Sequence, residues 1–188
     1  MIKRYLEIIG RKSKKAFENK VQNKLKNKVL NHYALSIKKN KKSILLQNKK
    51  DIDYAKKIGL KDNFISRLEL DIKKLEAITR SINSISKLKD PTDRILEQWT
   101  RPNGLKIKKV SVPIGVIGVI YESRPNVTSD VSCLCFKSGN SVILKGGSEA
   151  YFTNKILSNL FRRSLKFHKI DPNFVQFVDM RSRKVVDH

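Results

Sequence analysis

Apolar positions in the first half of the chain recur at helical spacing. Val21, Leu25, Val29, Tyr33 and Ile37 stand four residues apart, which places them on one helix face with lysines on the others. The run KKSILLQNKKDIDYAKKIGL continues in the same mode, with a break predicted near Asn48. Asp51 then suits the N-cap of a short helix, and Gly59 suits its C-terminal end. A further helix is predicted from Asp71 to about Ser86, capped by Asp71, with a stripe of Ile72, Leu75, Ile78, Ile82 and Ile85. Asp90-Pro91 closes this region, because a residue before proline is disfavoured in the helical basin.

The pattern changes after Pro91. Two extended runs, Ile95–Thr100 and Leu105–Val112, flank Asn103-Gly104, a short hairpin turn. An isolated hairpin is marginal in water, so this one is expected to pair with a sheet elsewhere, in this subunit or another. Val116–Tyr121 is a β-branched run broken only by Gly118, apolar on both faces, as in a parallel strand sandwiched by helices. A polar turn, Glu122–Asn126, leads to a helix over Val127–Lys137, closed by Ser138-Gly139-Asn140. Ser141–Leu144 reads as a second strand and Lys145-Gly146-Gly147 as a turn. Ser148 is placed to cap a helix from Glu149 to Phe167, and Phe174–Val178 reads as a third strand.

That order predicts an α/β chain with right-handed crossovers. It has N-terminal helices (1–94), a β-hairpin (95–112) and an incomplete dinucleotide-binding domain (113–188), part of a doubly wound, Rossmann-like parallel sheet. Ligands of such sheets sit outside the carboxyl ends of the strands, where both polar turns fall.

A chain of 188 residues can bury a real core. No apolar run reaches the roughly 18–20 residues that span a bilayer, and the first residues lack the apolar centre of a secretory signal. The expectation is a cytoplasmic protein with no membrane partner. The net charge of +24 raises nucleic acid as a ligand. Its basic residues are overwhelmingly lysines strewn along the whole chain, and the joint bias to Lys, Ile and Asn looks like codon pressure from an AT-rich genome. With no zinc-finger spacing and no RNP signature, the expectation is a solvated lysine surface with weak, salt-sensitive polyanion binding and no specific nucleic acid.

The candidate chemistry lies at the strand ends. Gly115-Val116-Ile117-Gly118 is not G-x-G-x-x-G, so the ordinary dinucleotide fingerprint is absent. Gly146-Gly147 before a helix lets a phosphate approach the backbone, or is simply a tight turn. Lys145 is either a contact to a cofactor phosphate or ribose, or one more surface charge. Arg124 is either a fork for a carboxylate or phosphate, or a structural residue beside proline. Asn126 is either an amide donor to a developing oxyanion or a helix N-cap, and the two roles are compatible. Cys133 and Cys135 lie within one helix, give no disulfide framework, and are expected to place at most one thiol at any cleft. His32, His168 and His188 show no ligand or triad spacing, so no metal site is expected.

The turn YESRPNVT, the preceding VPIGVIGVI and the following KSGNSVILKGGSEA resemble signature stretches of the gamma-glutamyl phosphate reductases, of the aldehyde dehydrogenase superfamily. NKVLNHYALSIKKNKKSILLQNKKDIDYAKKIGL, FISRLELDIKKLEAI and LKDPTDRI resemble the family's N-terminal regions, so the likeness covers nearly the whole chain. It implies an oxidoreductase that uses NADPH to reduce gamma-glutamyl phosphate to glutamate 5-semialdehyde in proline biosynthesis, through a cysteine nucleophile. By resemblance Asn126 is the oxyanion donor, Lys145 contacts the adenosine ribose region of NADPH, and Gly146, Gly147 and Ser148 line that region. Arg124 becomes a candidate for the substrate's acidic groups, and residues 95–112 an oligomerisation hairpin exchanged between subunits. The family's catalytic cysteine matches neither cysteine here, and Ser182 stands where the family has an acidic residue. The expectation is therefore a truncated chain, inactive alone. The alternatives are half of a split reductase completed by a separate C-terminal half, or a non-catalytic remnant or basic polyanion-binding protein.

Overall fold

The computed structural model describes residues 2–187. Five helices come first: α1 (Ile2–Phe17), α2 (Asn23–Lys39), α3 (Lys41–Lys57), α4 (Asp62–Leu68) and α5 (Ile72–Lys87). The strands β1 (Ile95–Thr100) and β2 (Lys106–Val110) form an antiparallel two-stranded sheet by themselves. Then β3 (Val116–Tyr121), α6 (Pro125–Lys137), β4 (Ser141–Gly146), α7 (Tyr151–Phe167) and β5 (Val175–Phe177) alternate, and the three strands lie parallel in the order β3-β4-β5. The fold class is as expected: helices, a small hairpin and a parallel sheet with its connecting helices.

The stripe on α2 is real, with Val29, Leu30, Tyr33, Ala34 and Ile37 buried. The break after it falls at Asn40, not Asn48. The Asn40 side chain donates to the Ser36 carbonyl (2.8 Å), drawing the last turn of α2 to a close. Asn48 is instead buried inside α3, where it accepts from Leu70 N–H (2.8 Å) and donates to the Leu68 carbonyl (2.9 Å). Asp51 is likewise not an N-cap of its own segment; it lies within α3, fully buried. Gly59 does end this helix, at φ +71°, a conformation that only glycine adopts freely. Asp71 caps α5 as predicted, accepting from Lys74 N–H (2.6 Å), though Ile72 is exposed and the buried stripe begins at Leu75.

Helices α6 and α7 pack side by side over one face of the parallel sheet, while α1 crosses β3, β4 and β5 on the opposite face. The central strand β4 is therefore buried on both sides, but β3 is not: its exposure alternates, and Ile120 is 67 % exposed. The expected sandwiching of Val116–Tyr121 fails because β3 is an edge strand, beyond the reach of α1 for every second side chain. One continuous core joins the helical segment to the sheet. Tyr33, Phe136, Phe161 and Phe174 form its aromatic centre, with ring centroids 4.8–5.8 Å apart.

Several boundaries move. Helix α6 starts at Pro125, two residues before the predicted Val127, because proline at the first helical position has its φ preset. Strand β4 runs on through Lys145 and Gly146, so those residues are strand rather than turn. Residues 148–150 form a short 3-10 turn ahead of α7, and Phe174 belongs to another, leaving β5 only three residues. The hairpin strands are exposed throughout, apart from a half-buried Ile107, and their loop spans Arg101–Leu105. His188 lies outside the described residues.

Not every lysine is a solvated surface charge. Lys26 and Lys137 are buried. Lys26 Nζ donates to the Asp90 carboxylate (3.0 Å) and to the Lys137 carbonyl (3.2 Å). Lys137 Nζ donates to Asn23 Oδ1 (2.8 Å) and to the Ser86 carbonyl (3.2 Å). Despite partial burial, the Thr92 and Lys26 donors hold the Asp90 carboxyl below its ordinary value. Asp90 thus ties α2 to the start of the hairpin.

Candidate functional site

Parallel pairing puts the carboxyl ends of β3 and β4 side by side, with Ile120 opposite Lys145 and Tyr121 opposite Gly146. Two adjoining cavities open beyond this rim. The larger, about 750 Å³, lies against Tyr121–Arg124, Lys145–Glu149 and the segment after β5. The smaller, about 470 Å³, lies between α4, α5 and the first turn of α6.

The predicted residues divide between them. Lys145, Gly146, Gly147 and Ser148 line the larger cavity, Asn126 lines the smaller, and Arg124 borders both. Lys145 is nearly buried (8 % exposed), and its Nζ donates to the Gly146 carbonyl (3.1 Å). Burial lowers its pKa, Arg183 adds to the effect and Glu149 opposes it. The two glycines are required by close approach: a Cβ on Gly146 would meet the Asn154 amide and the Tyr121 ring, and one on Gly147 would meet Ser123 Oγ. Ser148 does not cap α7; its hydroxyl donates to Glu149 Oε1 (2.7 Å). The cap comes from Asp51 on α3, which accepts from Phe152 N–H (3.0 Å), Thr153 N–H (2.7 Å) and the Thr153 hydroxyl (2.6 Å). Asn126 is not an N-cap either. It sits inside the first turn of α6, exposed, and donates to Asp130 Oδ2 (3.3 Å).

Several residues that line the larger cavity take no role from any motif. Glu149 accepts from Ser123 Oγ (2.6 Å) as well as from Ser148. Burial pushes its carboxyl up, but the two hydroxyl donors and Arg183 outweigh this and leave it below the ordinary value. Arg181 is stacked among Tyr54, Tyr151 and Phe152, with its guanidinium carbon 4.7–4.9 Å from each ring centroid. That stacking fixes the segment after β5, which carries Arg183 into the cavity. The strand-end rule contained the missing signal: in a parallel sheet, whatever follows β5 emerges at the same rim as Arg124 and Lys145. Arg67, on α4, borders both cavities, and no motif pointed to it.

Both cysteines are buried in α6 and line neither cavity. Burial pushes the Cys133 thiol well up and the Cys135 thiol up to about 11, so neither is a ready nucleophile. Among the described residues no cluster of three or more metal-ligating side chains occurs, and no helix is long and apolar enough to cross a membrane.

No family model matches the chain. It is 47 % identical over 163 residues to a gamma-glutamyl phosphate reductase of Hydrogenobaculum, covering 86 % of this chain and 37 % of that protein. Identity to the Sulfurihydrogenibium protein of the same name is 39 % over 188 residues, covering 99 % of this chain and 42 % of that one. The crystal structure of gamma-glutamyl phosphate reductase from Thermotoga maritima superposes with a TM-score of 0.93 at 35 % identity, over 96 % of this chain and 44 % of that one. A propionaldehyde dehydrogenase from Rhodopseudomonas palustris, at 13 % identity and a TM-score of 0.65, shares the fold. The chain spans about two fifths of the length of the curated relatives it matches. In sequence and in fold it belongs to the gamma-glutamyl phosphate reductase family, as the counterpart of the N-terminal portion of its relatives.

Proposed function

We propose that the chain forms the cofactor-adenosine and oxyanion side of a cytoplasmic reductase that converts gamma-glutamyl phosphate to glutamate 5-semialdehyde with NADPH, as in proline biosynthesis. The observation that carries this reading is Lys145: a nearly buried ammonium at the carboxyl end of β4, facing a cleft floored by Gly146 and Gly147. Nicotinamide nucleotides are anionic, and the cleft's cations, Lys61, Arg67, Arg124, Lys145, Arg181 and Arg183, outnumber its acids, Glu122 and Glu149. The residues present therefore suit such a cofactor. Lys145 has N–H donors left for a ribose hydroxyl or phosphate, and Ser148 and the Gly146-Gly147 backbone line the same wall. When bound, the cofactor supplies the hydride.

The other roles follow from chemistry. Asn126 keeps amide donor capacity toward the smaller cavity, where a preorganised donor stabilises charge developing on a carbonyl oxygen. Arg124 is suited to an acidic group of the substrate. The covalent step needs a thiolate, and these residues present none, since both thiols are buried and their pKa values raised.

The test is an NADPH titration of the chain by equilibrium dialysis, with NADH in parallel. Lys145→Ala is expected to weaken NADPH binding by about tenfold or more, the worth of one charge-assisted contact. Equal binding by Lys145→Ala and the unaltered chain would remove Lys145 from the cofactor site.

A further inference from the structure

We infer that Arg67 joins Arg124 in a two-guanidinium seat for the phosphate of the substrate, on the wall between the two cavities. The identity of that phosphate rests on the reductase reading; the seat itself rests on geometry. Among the described residues, Arg67 and Arg124 are the two that border both cavities. They come from different elements, α4 and the turn after β3, and share one counter-ion: Glu122 Oε2 lies 3.9 Å from Arg67 Nη1 and 3.8 Å from Arg124 Nε. Among the described residues Glu122 is the one ion-pair partner of either guanidinium; Glu69 and Asp130 also line the smaller cavity, and Asp130 accepts from Ser81 and Asn126.

Those separations are ion pairs without hydrogen bonds, and among the described residues neither guanidinium donates one. A guanidinium carries five N–H donors in a rigid fork matched to oxyanions, so both forks are free to bind. Both side chains are about half exposed, 47 % and 51 %, and so reachable by a solute. Arg67 is nevertheless held in place. Its guanidinium carbon lies 5.6 Å from the centroid of the Phe64 ring, and Lys74 Nζ closes the end of α4 by donating to the Ser66 (3.2 Å) and Glu69 (2.6 Å) carbonyls. Lys74 also lines the smaller cavity, with two of its three N–H donors taken by those carbonyls, whereas both guanidinium forks are unused. Asn126, the proposed oxyanion donor, is two residues from Arg124 and lines the smaller cavity with both arginines. An acyl phosphate carries its phosphate on the carbon that bears the developing oxyanion. A ligand whose carbonyl reaches Asn126 thus places its phosphate beside the pair.

The experiment is binding of inorganic phosphate to the full chain, followed by phosphorus NMR at about 0.15 M salt, where exposed charges are screened beyond about 8 Å. Arg67→Gln and Arg124→Gln are each expected to weaken phosphate binding by about tenfold, and Arg67→Lys, which keeps the charge but loses the fork, by an intermediate amount. Lys108→Gln on the exposed hairpin is the control for loss of one positive charge and is expected to change nothing. Loss of phosphate binding in Lys108→Gln equal to that in Arg67→Gln would reduce the seat to diffuse charge and overturn the inference. So would an unchanged Arg67→Gln, or a dependence on Arg67 seen with glutamate but not with phosphate. NADPH titrations of the same proteins separate the two readings. Phosphate binding through Arg67 without NADPH binding would sink the cofactor assignment alone; NADPH binding without the Arg67 effect would sink this one alone.

Discussion

Asp51 allows the sharpest prediction, because one carboxylate joins two distant parts of the chain. It lies on α3, fully buried, and supplies the acceptors for the first turn of α7. Asp51→Ala removes a helix cap, which costs about 1 kcal/mol. It also leaves Phe152 N–H, Thr153 N–H and the Thr153 hydroxyl facing a void, at about 1–3 kcal/mol for each donor left without a partner. Water entry and rotation of the hydroxyl recover part of this, so the expected loss is about 3 to 4 kcal/mol. Asp51→Asn keeps one acceptor oxygen and is expected to lose roughly half as much. Burial raises the Asp51 pKa against the opposing pull of its three donors and Arg181. Its folded pKa then exceeds its unfolded value. The stabilisation due to its proton is complete below the unfolded pKa and is lost as pH rises through the folded one. The gap between the unaltered chain and Asp51→Asn should therefore narrow with rising pH across that window. Urea unfolding followed by far-ultraviolet circular dichroism measures both effects. An Asp51→Ala midpoint within about 1 kcal/mol of the unaltered chain, or Asn as damaging as Ala, would refute the reasoning.

Asp90→Ala is expected to destabilise by about 3 kcal/mol, since it leaves the Lys26 ammonium, 3 % exposed, without its carboxylate partner; the double variant Asp90→Ala with Lys26→Met should regain much of this in the same unfolding assay. His168 has its pKa lowered chiefly by burial, then by His32 and Lys28. Its folded pKa lies below the unfolded 6.5, so its stabilising contribution is present above 6.5 and is lost as pH falls through the folded value. Melting temperature should accordingly drop as pH falls below 6.5, and His168→Asn should flatten that slope.

The legible parts of the fold were those decided by local pattern. The α2 stripe, the Asp71 cap, the Gly59 end of α3 and the strand-helix alternation after Val116 each depend on neighbours in sequence, and each is where the pattern put it. The illegible parts were decided at long range. Asp51 looked like a cap because aspartate caps helices, and it is one, but for a helix a hundred residues away. Asn48 looked like a breaker because its partners, Leu68, Leu70 and Thr153, could not be seen from its own segment. Lys26 and Lys137 were hidden among the many lysines of the surface. At the site, motif residues marked one wall of each cavity. Arg67, Arg181 and Arg183 reach those cavities only through the packing of α4 and the exit of β5, which no local spacing records.

The burial of Cys133 and Cys135 gives the chain a built-in clock. Two thiols sealed within α6 ignore an alkylating reagent while the helix stays closed, so their rate of modification reports how often it opens. Cys133 is fully buried and Cys135 is 9 % exposed. Mass spectrometry of a timed iodoacetamide pulse would therefore record one label before two if α6 opens from the outside, and both together if the whole chain unfolds at once.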